Sequence, residues 1–268
     1  MDFFPWETST QLIYKVSPTS IYFVRDFRAS HLVSPEKKKG FDDKEKGNLF
    51  FAIMNIIDVK KPKTLFLENV KNLHVIHKGK TFETIISEIR KRGYHISYKV
   101  IDSKYYNSPQ SRQRIYIICD KEKTYTFREV ENKMVPVSSI LDESCHSEFK
   151  YHDTYELKEC KNKKGMMKYK LINKKTGKGG RQGERVYKID RCGPTICASS
   201  GGPGAKTGLY DINGKIRTLN VTEVLRMFGF HHYTYSCLKN KNKMLFYLGN
   251  SIVVNVLSEL TKDLEDIL

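Results

Sequence analysis

The hydrophobic and polar positions of this chain change period several times. Residues 41–59 carry Leu49, Ile53, Ile56 and Ile57 at helical spacing, which predicts a helix. The short apolar run Leu65-Phe66-Leu67 has the composition of a strand buried on both faces and stops at Glu68. Residues 80–91 place Phe82, Ile85, Ile86 and Ile89 on one helical face, and Gly93 ends that helix. Aromatic and β-branched residues alternate through 94–101, and residues 115–119 form another apolar run, which predicts two more strands. Helix, strand, helix, strand, strand is a fragment of an α/β sheet. From about residue 121 to 213 the period fades, and residues 158–185 are dense in Lys, Arg and Gly. Two helices are expected near the end. One covers 222–230, capped by Asn220 or Thr222 and ended by Gly229, and the other covers 251–267.

Charge narrows the function. The 268 residues hold 47 Lys plus Arg against 30 Asp plus Glu, a net charge of +17. Such a surface suits a polyanion, nucleic acid first. No apolar run of transmembrane length and no secretory leader is evident, so the cytoplasm is the expected compartment and no membrane partner is expected. The six cysteines form no C-x-x-C pair, so neither a metal site nor a redox pair is expected.

Two strand ends carry candidate chemistry. In open α/β sheets ligands bind beyond the carboxyl ends of strands, which is where Glu68 falls. Arg112 and Arg114 lie two residues apart, just ahead of the 115–119 strand, where extended chain would put them on one face. Guanidinium forks suit phosphates and base edges.

Four motifs in order then point to a family. Leu67-Glu68-Asn69-Val70 resembles the E-N-V motif of the DNA (cytosine-5)-methyltransferases, and Gln110-Ser111-Arg112-Gln113-Arg114 resembles their Q-x-R-x-R motif. Residues 217–230, from Arg217-Thr218-Leu219 to Gly229-Phe230, resemble the R-x-L-T-x-x-E-x-x-R-x-x-G-F block. Residues 249–254, Gly249-Asn250-Ser251-Ile252-Val253-Val254, resemble the closing G-N-S/A-V block. The resemblance runs from about Lys37 to the end. It implies a partial Rossmann-like methyltransferase sheet with a smaller, irregular target-recognition domain. On this basis residues 37–120 and 214–268 are catalytic domain and residues 121–213 target-recognition domain. It further implies S-adenosylmethionine as cofactor and double-stranded DNA as substrate, in a restriction-modification setting.

The same resemblance assigns roles. Glu68 is the partner of nitrogen 3 of the cytosine, Arg114 contacts the flipped base or its phosphate, and Arg112 orients the catalytic loop and the DNA. Asn250 and Ser251 belong to the cofactor pocket. Residues 193–202 resemble the threonine and glycine-rich piece of the recognition domain, which places DNA contacts at Thr195, Ile196, Gly201 and Gly202.

Two of the family's parts have no counterpart here: the glycine-rich cofactor loop and the nucleophilic cysteine of G-F-P-C-Q-P-F-S-x-x-G. Residues 26–36 stand in that place, and no cysteine precedes Cys119. Suitable codons for these eleven residues, read in the straddling frame, yield G-F-P-C-Q-P-F-S-I-A-G. The shift falls at Glu36-Lys37-Lys38-Lys39, whose codons are rich in A. Residues 1–36 are accordingly expected to be a wrong-frame segment. A naturally split enzyme with a complementing N-terminal chain and an unrelated extension are the alternatives. The chain by itself is expected to be inactive.

Overall fold

The computed structural model describes residues 13–15, 21–25, 48–131, 134–162, 164–199, 201–231, 233 and 240–265. Residues 26–47, where the expected frame shift and the first part of the 41–59 helix fall, lie outside the described residues. The chain divides into two units, one drawn from residues up to Ile101 and from 113–129, the other from 102–112 and from Val130 onward.

The first unit is built on a five-stranded sheet in the order β1-β2-β3-β5-β4. The strands are β1 (Ile13–Lys15), β2 (Ile21–Arg25), β3 (Thr64–Val70), β4 (His95–Asp102) and β5 (Gln113–Asp120). β2 runs parallel to β3, whereas β1 is antiparallel to β2 and β5 antiparallel to β3. Two strands therefore come from the segment 1–36. Helix α2 (Lys80–Arg90) buries the predicted stripe, whereas α1 (Asn48–Lys60) buries Ile53 and Ile57 of its predicted stripe together with Phe50 and Met54, and leaves Ile56 half-buried. Phe50, Ile53, Met54 and Ile57 of α1 and Phe82, Ile85, Ile86 and Ile89 of α2 join Leu65, Leu67, Ile115, Ile117 and Cys119 in one apolar cluster. On the opposite face Phe66 and Tyr116 meet edge to face at 5.9 Å. Burial of both faces explains why β3 is an unbroken apolar run. Gly93 sits at φ +80°, a left-handed conformation that ends α2 without a Cβ penalty.

The second unit includes most of the segment expected as recognition domain and reaches beyond it on both sides. It contains a second five-stranded sheet, in the order β10-β9-β8-β7-β6. Its strands are β6 (Tyr155–Glu159), β7 (Met167–Asn173), β8 (Arg185–Tyr187), β9 (Leu209–Ile212) and β10 (Lys215–Thr218). The 158–185 stretch thus spans the end of β6, all of β7 and the start of β8. Its strand signal was hidden because lysines occupy alternate positions in Met167-Lys168-Tyr169-Lys170-Leu171, and only Leu171 becomes fully buried. Leu171, Val186, Leu209 and Ile216 form the small core of this sheet. Asn213 (φ +53°) and Gly214 (φ +83°) turn β9 into β10, the left-handed pair that a tight hairpin requires.

Three helices complete this unit: α3 (Val221–Met227), α4 (Lys241–Gly249) and α5 (Val254–Glu265). Asn220 caps α3 in a reciprocal capping box with Glu223, as its position suggested. The final helix was expected to start at Ser251 and instead starts at Val254. Asn250 is the C-cap of α4, a helix not expected from the sequence. The Ser251 amide still donates back to Leu248 (2.7 Å), so the chain turns at 250–253 before α5 can begin. Residues Lys241–Lys262 have the length and mean hydropathy (1.2) of a membrane span. They are two helices broken at that turn, with Leu245, Leu248, Val256 and Leu260 buried in the unit.

Candidate functional site

In the first unit the antiparallel pairing of β3 with β5 sets Glu68 opposite Tyr116 and Val70 opposite Arg114. Arg114 is therefore the diagonal neighbour of Glu68, close enough for a long side chain to reach it. Its Nε lies 3.1 Å from Glu68 Oε1, with the Glu68 side chain fully buried and that of Arg114 nearly so. A buried carboxylate at a strand end needs such a partner, because an uncompensated charge there would be expelled. Arg114 also donates from Nη1 to the Gln113 carbonyl (2.9 Å). The neighbouring Asn69 Oδ1 accepts from the Val70 amide (2.8 Å), which shapes the turn leaving β3.

Cys119 cannot supply a nucleophile here. It pairs with Leu65, at the far end of the ladder from Glu68, and is buried in the apolar cluster. Burial pushes its thiol well above the usual range, so no thiolate forms near neutral pH. Among the described residues of this unit there is no other cysteine.

In the second unit residues 109–112 lie alongside residues 193–196. Gln110 and Gly193 form a parallel bridge. The Gly193 amide donates to the Pro109 carbonyl and the Ser111 amide to the Gly193 carbonyl, both at 2.8 Å. Thr195 Oγ1 donates to the Ser111 carbonyl (2.7 Å), and the Gln110 side-chain oxygen accepts from the Ile196 amide (3.0 Å). Gln110 was not among the expected site residues, although it opens the Q-x-R-x-R motif.

Both arginines were expected ahead of the strand; β5 starts at Gln113 and so includes Arg114, while Arg112 precedes it and has other partners. Arg112 is 2% exposed. Its Nη1 donates to the Ile196 carbonyl (3.1 Å), its Nη2 to the Gly249 carbonyl (3.0 Å), and its guanidinium carbon lies 5.5 Å from the centre of the Phe228 ring.

The four expected DNA contacts differ in availability. Ile196 is fully buried, so its side chain anchors the segment and does not face outward. Thr195 is half-buried, with its hydroxyl already committed to Ser111. Gly201 and Gly202 are exposed, and Gly202 adopts φ +99°. Asn250 and Ser251 are half-buried at the turn after α4. Among the described residues the Ser251 hydroxyl has a long contact of 3.5 Å to the Ile252 carbonyl, which leaves it able to take a better partner.

The R-x-L block holds a buried polar cluster instead of exposed chemistry. Arg217 grips Glu223 in a two-bond fork (2.8 and 2.7 Å), and Glu223 also accepts from the amides of Asp142 (2.9 Å) and Asn220 (2.8 Å). Arg226 Nη1 donates to the carbonyls of Ile140 and Leu141.

Comparison with known proteins adds to this geometry. Residues 34–266 match the family described as C-5 cytosine-specific DNA methylase. The chain is similar to the Type II methyltransferase M.HhaI of Haemophilus parahaemolyticus, with 32% identity over 92% of the chain and 76% of that protein. It is also similar to the Type II methyltransferase M.Bsp6I of Bacillus sp. (strain RFL6), with 28% identity over 85% of the chain and 73% of that protein. Its fold is similar to the crystal structure of the S. pombe Dnmt2 methyltransferase, with a TM-score of 0.64 and 16% identity over 91% of the chain and 79% of that structure.

Proposed function

The chain belongs to the C-5 cytosine-specific DNA methylase family, and from that premise we propose that it serves the transfer of a methyl group to carbon 5 of cytosine within a specific duplex sequence, as a restriction-modification enzyme does. The observation that carries the proposal is the buried Glu68–Arg114 pair at the end of β3. Cytosine carbon 5 is a poor nucleophile. Addition of a thiolate at carbon 6 turns the ring into an enamine, and the negative charge developing on nitrogen 3 needs a hydrogen-bond donor, which a carboxyl group supplies only while it carries a proton. Glu68 is that donor in this reading, and Arg114 holds the carboxyl in place and meets the base or its phosphate once the base has left the stack. Thr195, Gly201 and Gly202 face the DNA, and Ile196 holds their segment.

S-adenosylmethionine supplies the methyl group as an electrophile on sulfonium sulfur. Asn250 and Ser251 fit it as polar contacts, since both are half-buried and the Ser251 hydroxyl is weakly engaged. They are one edge of a pocket. The glycine-rich loop that would form the rest has no counterpart in the sequence.

The chain also has no cysteine before Cys119, and Cys119 is sealed in the core. The family's nucleophile belongs to the G-F-P-C-Q block, which has no counterpart here, so the reaction needs a thiolate from a complementing N-terminal chain or a frame-restored gene, and this chain alone is inactive. A duplex carrying 5-fluorocytosine at the target position tests the reading. With S-adenosylmethionine, a covalent adduct forms when an N-terminal half bearing G-F-P-C-Q is added and not without it. Adduct formation by the chain alone refutes the inactivity. Absence of an adduct under every complementation, together with salt-sensitive DNA binding, favours a second reading, a DNA-binding chain without chemistry. The net charge of +17 is the observation behind that second reading.

A further inference from the structure

We propose that Arg112 is a positioning residue, a strut that locks residues 193–198 to the C-terminal end of α4 and so couples the segment facing DNA to the turn at Asn250 and Ser251. This inference rests on the roles given above to those two places. Its basis is a single buried guanidinium whose two ends hold backbone carbonyls 84 and 137 residues away, those of Ile196 and Gly249.

Three features make the strut specific. An arginine stays charged in a protein, so both carbonyls face a permanent cation. Such charge-assisted bonds are stronger than neutral ones, and the planar fork fixes the angle between them. The two segments also touch directly. A Cβ added at Gly249 would lie 2.3 Å from the Ala198 nitrogen and 2.5 Å from its Cα, closer than side chains approach. The backbone of the 196–198 segment thus rests on the last residue of α4, and Arg112 spans that seam. On the other side, the Gln110 side chain takes the Ile196 amide and the Phe228 ring lies beside the guanidinium, which leaves Arg112 few alternative positions. Ile196 directly follows Thr195, and Gly249 directly precedes Asn250. A displacement at either carbonyl is carried to the other through one rigid group.

A lysine keeps the charge but offers one point, so it can hold one carbonyl and not both. Amide hydrogen exchange on the full chain, on Arg112→Lys and on Arg112→Met, with and without a duplex oligonucleotide, tests the strut. Without DNA, amides in 195–198 and in 250–253 of Arg112→Lys should exchange about tenfold faster together, while those of β3 and β5 keep their protection. With DNA, the wild-type chain should gain protection at 195–202 and also about threefold at 250–253. Arg112→Lys should gain it at 195–202 alone. Arg112→Met should behave like Arg112→Lys, and if it fails to fold, Arg112→Lys decides.

The strut is refuted if only one segment responds, if neither does, if protection is lost across the whole unit in Arg112→Lys, or if that variant transmits the effect of DNA as the wild type does. If DNA protects nothing at 195–202 in the wild type, the proposed function fails there, and the comparison without DNA still decides the strut.

Discussion

The two units hold their charged groups in opposite ways. In the first, a broad apolar cluster from α1, α2, β3 and β5 does the packing, and one charged pair, Glu68 with Arg114, sits at the end of the ladder. In the second, the sheet has a core of four residues, helices α3 to α5 bury further apolar side chains such as Val224, Met227, Leu248 and Val256, and buried polar groups take part in the packing as well: Arg217 with Glu223, and Arg112 with two carbonyls. The difference teaches that two arginines of one short motif can take quite different partners. Arg112 and Arg114 stand two residues apart, yet one is a tie between backbone segments and the other is paired with a carboxylate at a strand end. A buried charge is tolerated where its partners are complete, and removing one partner costs more than the pair itself contributes.

The largest effect should come from breaking the polar organisation of the second unit. Glu223→Ala leaves the Arg217 guanidinium buried without its carboxylate and should lower stability by about 3–5 kcal/mol in a urea titration. Replacing both, as Arg217→Met with Glu223→Leu, should recover most of that loss. A loss below about 1 kcal/mol for the single change would place the stability of this unit elsewhere.

The matching break in the first unit is Leu67→Ala. It should cost about 3 kcal/mol, through lost burial and the cavity left behind. The same urea titration reads it, and a near-neutral result would mean that the apolar cluster is not what holds this unit.

Asp120 sharpens the contrast, as a buried carboxylate in the apolar unit. Burial alone would raise its pKa, but the Thr64 hydroxyl (2.6 Å), the amides of Glu122 and Lys123, and the Lys63 charge outweigh burial and hold it below the ordinary value of 3.8. A depressed carboxyl contributes stability above its unfolded pKa, and that contribution is lost as pH falls from there through the folded value. Melting temperature should therefore drop on the acid side in the wild type, and the drop should be shallower in Asp120→Asn. That variant should also be about 1–2 kcal/mol less stable at pH 7. An unchanged acid limb would remove Asp120 from the account.

The smallest effect is expected at an exposed pair. Lys99 reaches Glu129 at 3.2 Å, but Glu129 is almost fully exposed. Lys99→Ala should change stability by less than about 0.5 kcal/mol, and less still at high salt.

Much of the first unit was legible in the sequence because its signals are local. Helical spacing in α1 and α2 and the apolar runs of β3 and β5 depend on neighbours within a few residues. The Asn220 cap was legible for the same reason; the strand expected to stop at Glu68 was legible too, although β3 runs two residues further, to Val70. The sheet of the second unit was not, because its lysines alternate with half-buried apolar residues and thin the signal. Nor was α4, whose one apolar stretch, Met244-Leu245-Phe246-Tyr247-Leu248, follows two lysines and reveals no period.

By itself the sequence determined the family, through four short motifs in order, together with the candidate residues and the lack of an early cysteine. Only the tertiary structure decided what those residues touch. The register of β3 against β5 brings Arg114 to Glu68, and contacts spanning 84 and 137 residues turn Arg112 inward. Periodicity records which face of an element is apolar. It holds no record of which distant carbonyl a guanidinium will find, because that depends on how the chain closes on itself.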